Sequence, residues 1–112
     1  MQILVANEPR AYREALARAF CKLRPHLAVC EADPGQLSRE VIRLQPDLVV
    51  CSELPALDYG KPCTWIQLYP EGDSRAVIFS EGRRSTVEEI ELSDLLSIID
   101  RALARMNYHS HN

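Results

Sequence analysis

Three short, uninterrupted apolar runs, separated by stretches of helical period, constrain this chain more than any other feature. The runs are Ile3-Leu4-Val5-Ala6, Leu27-Ala28-Val29-Cys30 and Leu48-Val49-Val50-Cys51. A strand with one wet face alternates apolar and polar residues. A strand that is apolar at every position calls for cover on both faces. Between the first two runs, Tyr12, Leu16, Ala19, Phe20 and Leu23 recur at helical spacing across Arg10 to Leu23, and Pro25 stops the helix. Between the second and third, Asp33-Pro34 offers a cap and a first-turn proline, and Leu37, Val41 and Leu44 form a buried stripe. Pro46-Asp47 opens the third run. This β-α-β-α-β alternation predicts a parallel, doubly wound sheet with right-handed connections.

The second half follows a different rule. Ala56-Leu57-Asp58-Tyr59-Gly60-Lys61-Pro62-Cys63 is too short and too broken for a full crossover helix. Strands are expected at Thr64 to Tyr69, at Ala76 to Phe79, and in a further segment from Ser85 to Glu91. Pro70 to Ser74 and Glu81-Gly82-Arg83 carry turn chemistry, and strands joined by turns so short pair antiparallel. Whether the fourth strand runs parallel to the third stays open. Ser93 is the expected cap of a last helix, whose stripe is Leu95, Ile98, Ile99, Ala102, Leu103 and Met106. Residues 1–106 thus form one domain, with 107–112 a frayed, flexible tail.

Composition narrows the classes. A chain of 112 residues has the size of one domain. Its net charge of −3 argues against a nucleic-acid partner. No apolar run approaches the roughly 20 residues that cross a bilayer, and no basic leader precedes Ile3, so a cytoplasmic protein without membrane contact is expected. Cys21, Cys30, Cys51 and Cys63 form no C-x-x-C pair and read as free thiols. No phosphate-loop or dinucleotide motif is present, and no cofactor or metal is implied.

The residues Ile3 to Pro9 (I-L-V-A-N-E-P), Tyr12 to Leu16 (Y-R-E-A-L) and Leu44 to Pro55 (L-Q-P-D-L-V-V-C-S-E-L-P) resemble the receiver domain of bacterial response regulators, CheY-like proteins of flavodoxin-like fold. The match covers about half the chain well and the last helix loosely. It implies a truncated, flavodoxin-like doubly wound sheet: three parallel N-terminal strands, an antiparallel C-terminal strand hairpin and a final helix. Receivers hold magnesium with an acidic pair after the first strand and an aspartate ending the third, which accepts the phosphoryl group. A hydroxyl residue and a lysine end the fourth and fifth strands. Here the acidic pair reads Asn7-Glu8 and the acceptor position is Ser52. The fourth strand ends Leu68-Tyr69-Pro70 and the fifth Phe79-Ser80-Glu81. Serine forms no acyl phosphate, and its hydroxyl is a weak nucleophile without a base. The resemblance therefore implies a pseudo-receiver with a degenerate phosphorylation pocket at Asn7, Glu8 and Ser52, not an enzyme, regulating through protein contacts in signal transduction. The alternative is a small-molecule sensor using the crevice at the strand carboxyl ends, where open α/β sheets bind ligands.

The missing helices raise one more expectation. If Ile66 and Leu68 face the first and last helices, then Trp65, Gln67 and Tyr69, with Val77 or Phe79 beside them, lie on an uncovered face that suits a homodimer interface. The alternative is that the loop of residues 56–63 folds over this face. Gly82-Arg83-Arg84 reads as a basic hairpin tip, solvated by default, with an anion or an acidic partner as its functional reading. His109 and His111 in the tail carry no site.

Overall fold

The computed structural model describes residues 1–55, 64–69, 73–80 and 82–110, with side chains described as far as Asn107. Strands β1 (Gln2–Ala6), β2 (Ala28–Glu31), β3 (Leu48–Cys51), β4 (Thr64–Leu68), β5 (Ala76–Ser80) and β6 (Arg83–Val87) join helices α1 (Arg10–Leu23), α2 (Leu37–Leu44) and α3 (Leu92–Ser110). They form one six-stranded sheet in the order β2-β1-β3-β4-β5-β6. The strands β1 to β4 are mutually parallel, whereas β4 with β5 and β5 with β6 are antiparallel. The question left open by the sequence is answered: β4 joins the parallel set, which holds four strands rather than three.

Handedness explains where the first helices lie. The chain steps from β1 to β2 in one direction and from β2 across β1 to β3 in the other, so right-handed crossovers put α1 and α2 on opposite faces. The core divides accordingly. On one face Ile3, Val5, Leu48, Val50, Ile66, Leu68 and Ile78 pack with Leu16 and Phe20 of α1 and Leu95, Ile98, Ile99 and Ala102 of α3. On the other, Leu4, Ala6, Val49, Cys51 and Trp65 pack with Leu37 of α2, and half-buried Val41 and Leu44 join them. An α/β arrangement with helices on both faces of a mixed sheet is compatible with a doubly wound fold. The finer flavodoxin-like description is not reached, because the described residues hold three helices and the sheet continues into an antiparallel β5–β6 hairpin.

Local signals explain the element ends. Asp33 accepts a hydrogen bond from the Gly35 amide (3.4 Å), and Pro34 opens a 3-10 turn that leads into α2. Gln45 ends α2 in the left-handed region, φ 46°. Four sequence expectations shift. β2 is an edge strand with exposed and half-buried positions rather than a strand covered on both faces. β6 begins at Arg83 and ends at Val87, ahead of the expected segment. α3 starts one residue before Ser93, and Asp94 closes its first turn by accepting from the Glu91 amide (2.9 Å). Asn107, taken as the start of a frayed tail, is helical, because α3 continues to Ser110.

Candidate functional site

The crevice at the carboxyl ends of β1, β3 and β4 is built by strand register. Ala6 pairs with Cys51, and Cys51 with Gln67, so the residues that follow β1 and β3 emerge side by side. Alternation places Asn7 and Ser52 on the α1 side of the sheet, since Val5 and Val50 pack there and Ala6 and Cys51 do not. The Glu8 amide donates to Ser52 Oγ at 3.0 Å. The Gln67 side-chain amide donates to the Ser52 carbonyl at 3.3 Å. These bonds tie the ends of the three strands together. The Pro9 carbonyl then accepts from the Tyr12 and Arg13 amides and starts α1.

Of the sequence-selected pocket residues, the structure brings Glu8 and Ser52 into contact through the Glu8 backbone. The Glu8 side chain is exposed. Asn7 is fully buried, and neither its Oδ1 nor its Nδ2 has a hydrogen-bond partner. A buried amide left unsatisfied costs about 1–3 kcal/mol, so this position is either a strain reservoir or a place where a polar guest completes the set. Glu53 is exposed. Among the described residues no cluster of three His, Cys, Asp or Glu side chains is arranged to hold a metal ion. The neighbouring Cys51 is buried, and desolvation pushes its thiol up to about 12, which keeps it protonated and unreactive.

An aromatic pair borders the crevice. Tyr12, on the first turn of α1, and Tyr69, just past β4, have ring centroids 6.0 Å apart at 46°. Burial, and then the hydrogen bond to Tyr69, drive the Tyr12 phenol far above its ordinary range, so it stays neutral. Sequence reasoning did not join these two. The signals were present: Tyr12 opens the helical stripe, and Tyr69 directly precedes Pro70.

The expected interface residues divide. Trp65 and Val77 are each 3% exposed, so the single chain already covers them, and they do not form the bare aromatic surface anticipated. Trp65 packs in the α2-side core, where Phe79 and Leu54 are half-buried beside it. Gln67 and Phe79 are half-buried. Tyr69 leaves the face altogether: its positive φ of 55° turns the chain, and its ring meets Tyr12 on the α1 side. The loop proposed as an alternative cover, residues 56–63, lies outside the described residues. No helix is long and apolar enough to cross a membrane among the described residues. No family model, no curated protein and no solved structure matches the chain.

Proposed function

We propose that this chain is a receiver-like regulatory module, a pseudo-receiver that acts through protein contacts in the cytoplasm without taking up a phosphoryl group. The observation that carries the reading is at Ser52. The side chain that follows β3 is a hydroxyl, already engaged as the acceptor of the Glu8 amide, where phosphotransfer needs a free carboxylate. Support for the receiver-like part comes from the order β2-β1-β3-β4-β5, the succession found in flavodoxin-like sheets, with the crevice at the switch between β1 and β3. The antiparallel β5 and the added β6 set the chain apart from that pattern. No catalytic step and no cofactor belong to this reading, and the net negative charge speaks for a protein partner over nucleic acid.

Incubation with acetyl phosphate and magnesium, followed by intact mass spectrometry, tests it. The mass should not change, and a partner captured from source cells should be retained equally before and after treatment. A stoichiometric phosphoryl gain, labile in alkali, would sink the proposal.

A second reading, a sensor of a small polar molecule, is favoured by one specific observation: the buried, unsatisfied Asn7 carboxamide at this crevice. Ligand-dependent melting separates the two. A sensor gains about 2.7 kcal/mol at a hundredfold excess of ligand over Kd, whereas a module that binds only protein gains nothing from a metabolite panel.

A further inference from the structure

We propose that the basic strip across the amino ends of the parallel strands, on the α1 and α3 face, docks an acidic segment of a partner protein that carries an apolar residue among its carboxylates. This deepens the reading of the chain as a module that acts through protein contacts, and it rests on that reading.

The net charge of −3 conceals a separation of charge along the strands. At the carboxyl ends of the parallel strands stand Glu8 after β1, Glu31 and Asp33 at the end of β2, and Glu53 after β3. β6 runs in the same direction, and Glu88-Glu89 follow it there. All six are exposed. Arg10, Arg13 and Arg75 share that end, and each is paired with an acid, Glu14, Glu31 and Asp73 in turn. The opposite end is basic. Lys22 and Arg24 lie where α1 stops, Arg83 opens β6, and Arg101 and Arg105 lie toward the end of α3. The acids that reach this end among the described residues, Asp47 and Asp100, are engaged by the Gln2 amide and by Arg24. The helix dipole accounts for an acidic start and a basic finish on α3. A strand has almost no net dipole to complement, so the same polarity from Arg83 to Glu89 has no such cause.

Printed contacts join the basic residues into one strip. Arg24 holds Asp100, the neighbour of Arg101 on α3. One turn further along, Arg105 Nη2 donates to Ser80 Oγ at 3.1 Å. Ser80 pairs with Arg83, and residues directly opposite in a ladder share a face. Lys22, Arg83 and Arg101 make no ion pair or hydrogen bond with the described residues. Leu23 sits among these charges and is 43% exposed. The strip crosses two helices, about 20 Å, which roughly six extended residues span.

This chemistry selects the occupant. Guanidinium groups match carboxylates in shape as well as charge. Leu23 offers an apolar contact that a purely charged ligand leaves unused. Single-stranded nucleic acid is held by aromatic platforms, and no exposed aromatic side chain belongs to this end among the described residues. The acidic far end repels a segment that the basic end attracts, so the approach is oriented as well as favoured.

Fluorescence anisotropy with the labelled peptide Glu-Glu-Glu-Leu-Glu-Glu-Glu and the full chain tests this. At low salt the peptide should bind saturably, with Kd below about 1 mM, and weaken as salt rises. Arg83→Glu/Arg101→Glu should weaken it at least about tenfold, and Arg83→Gln/Arg101→Gln by less. Leu23→Ser should weaken it about threefold while leaving an all-glutamate peptide unchanged. Glu88→Gln/Glu89→Gln, at the far end, should change the affinity less than about twofold at moderate salt. These positions are exposed, and a circular-dichroism melt matching wild type separates loss of binding from loss of fold. Absence of saturable binding, or equal losses from variants at the two ends, would overturn the proposal. So would tighter binding of a single-stranded oligonucleotide of equal charge, or of vesicles containing anionic lipid. Either result leaves the module reading standing, whereas phosphoryl uptake from acetyl phosphate removes that reading without altering peptide binding.

Discussion

The parallel and antiparallel halves of the sheet bury their strands to different depths, although they share one ladder. β1 and β3 are buried almost throughout, whereas β6 is exposed at its first four residues. A single row across the sheet shows the gradient. Val49 pairs with Trp65, Trp65 with Phe79, and Phe79 with Arg84. Along that row the side chains pass from fully buried through 3% exposed and half-buried to exposed. Connection length is the cause. Parallel strands need a crossover, and each crossover helix returns to cover the strands it joins. β5 and β6 are joined by a short turn that brings no cover with it. The parallel half therefore buries its inner strands β1 and β3 and leaves β2 as a partly exposed edge, whereas the antiparallel half ends in the more exposed edge β6.

Truncation in the core tests that contrast most strongly. Phe20 is fully buried where α1 meets the sheet, so Phe20→Ala should cost about 3–5 kcal/mol. Val87→Ala, at the half-buried end of β6, should cost about 1 kcal/mol or less. Urea titration of both variants reads the difference, and equal losses would mean that the halves are not distinct in stability.

The next effect concerns how the parallel half is closed without a hairpin. The Gln2 amide donates to Asp47 Oδ2 at 2.7 Å, and the Asp47 amide donates to the Gln2 carbonyl at 2.9 Å. This clip joins the starts of β1 and β3 across 45 residues of sequence. Asp47→Ala should cost about 1–3 kcal/mol, with Asp47→Asn recovering part of it. No loss on denaturant titration would show that backbone pairing alone sets this register.

The same contrast explains what the sequence made legible. The first half was readable because each local signal agreed with its neighbours: apolar runs, Asp33-Pro34 as cap and first turn, and Pro46-Asp47 before β3. The pocket positions Asn7, Glu8 and Ser52 followed from those strand ends. The direction of β4 was not readable, because strand composition carries no polarity. Trp65 was expected at a bare face because cover contributed by the whole chain cannot be read from one strand's alternation. Tyr69 was assigned by extending that alternation one residue too far, past a backbone turn that no β-propensity predicts. The unsatisfied amide of Asn7 was invisible for another reason: satisfaction depends on partners from distant segments.

Asn7 gives the third prediction. Its carboxamide is buried in the half that otherwise packs apolar groups, with both polar atoms unpaired. Asn7→Leu removes the polar atoms at similar volume and should stabilise the chain by about 1 kcal/mol. Thermal and urea unfolding measure it. A clear loss of stability instead would show that the amide has a partner in solution, and so would favour the polar-ligand reading of the crevice.

The smallest effect lies on α3, the helix that packs against strands of both halves on one face of the sheet. Arg24, just past α1, donates from Nε and Nη2 to the two carboxylate oxygens of Asp100, each at 2.8 Å. The hydrogen bonds from Arg24 hold the Asp100 carboxyl below its usual value; burial opposes them, and the charges of Arg24 and then His26 add to the lowering. A carboxyl whose folded-state pKa is depressed stabilises the fold above its unfolded pKa, and that contribution fades as pH falls through the folded value. The pair is solvent-exposed, so its effect is screened and modest. Asp100→Asn should lower the urea midpoint slightly at about pH 6, and the two proteins should converge as the pH falls through the depressed folded-state value, where the wild-type carboxylate takes up its proton. Added salt should shrink the difference at the higher pH. A gap between the proteins that persists unchanged in acid would mean that Asp100 acts through packing of α3 rather than through its charge, and the tie between α1 and α3 would then rest on Ile98, Ile99 and their apolar neighbours alone.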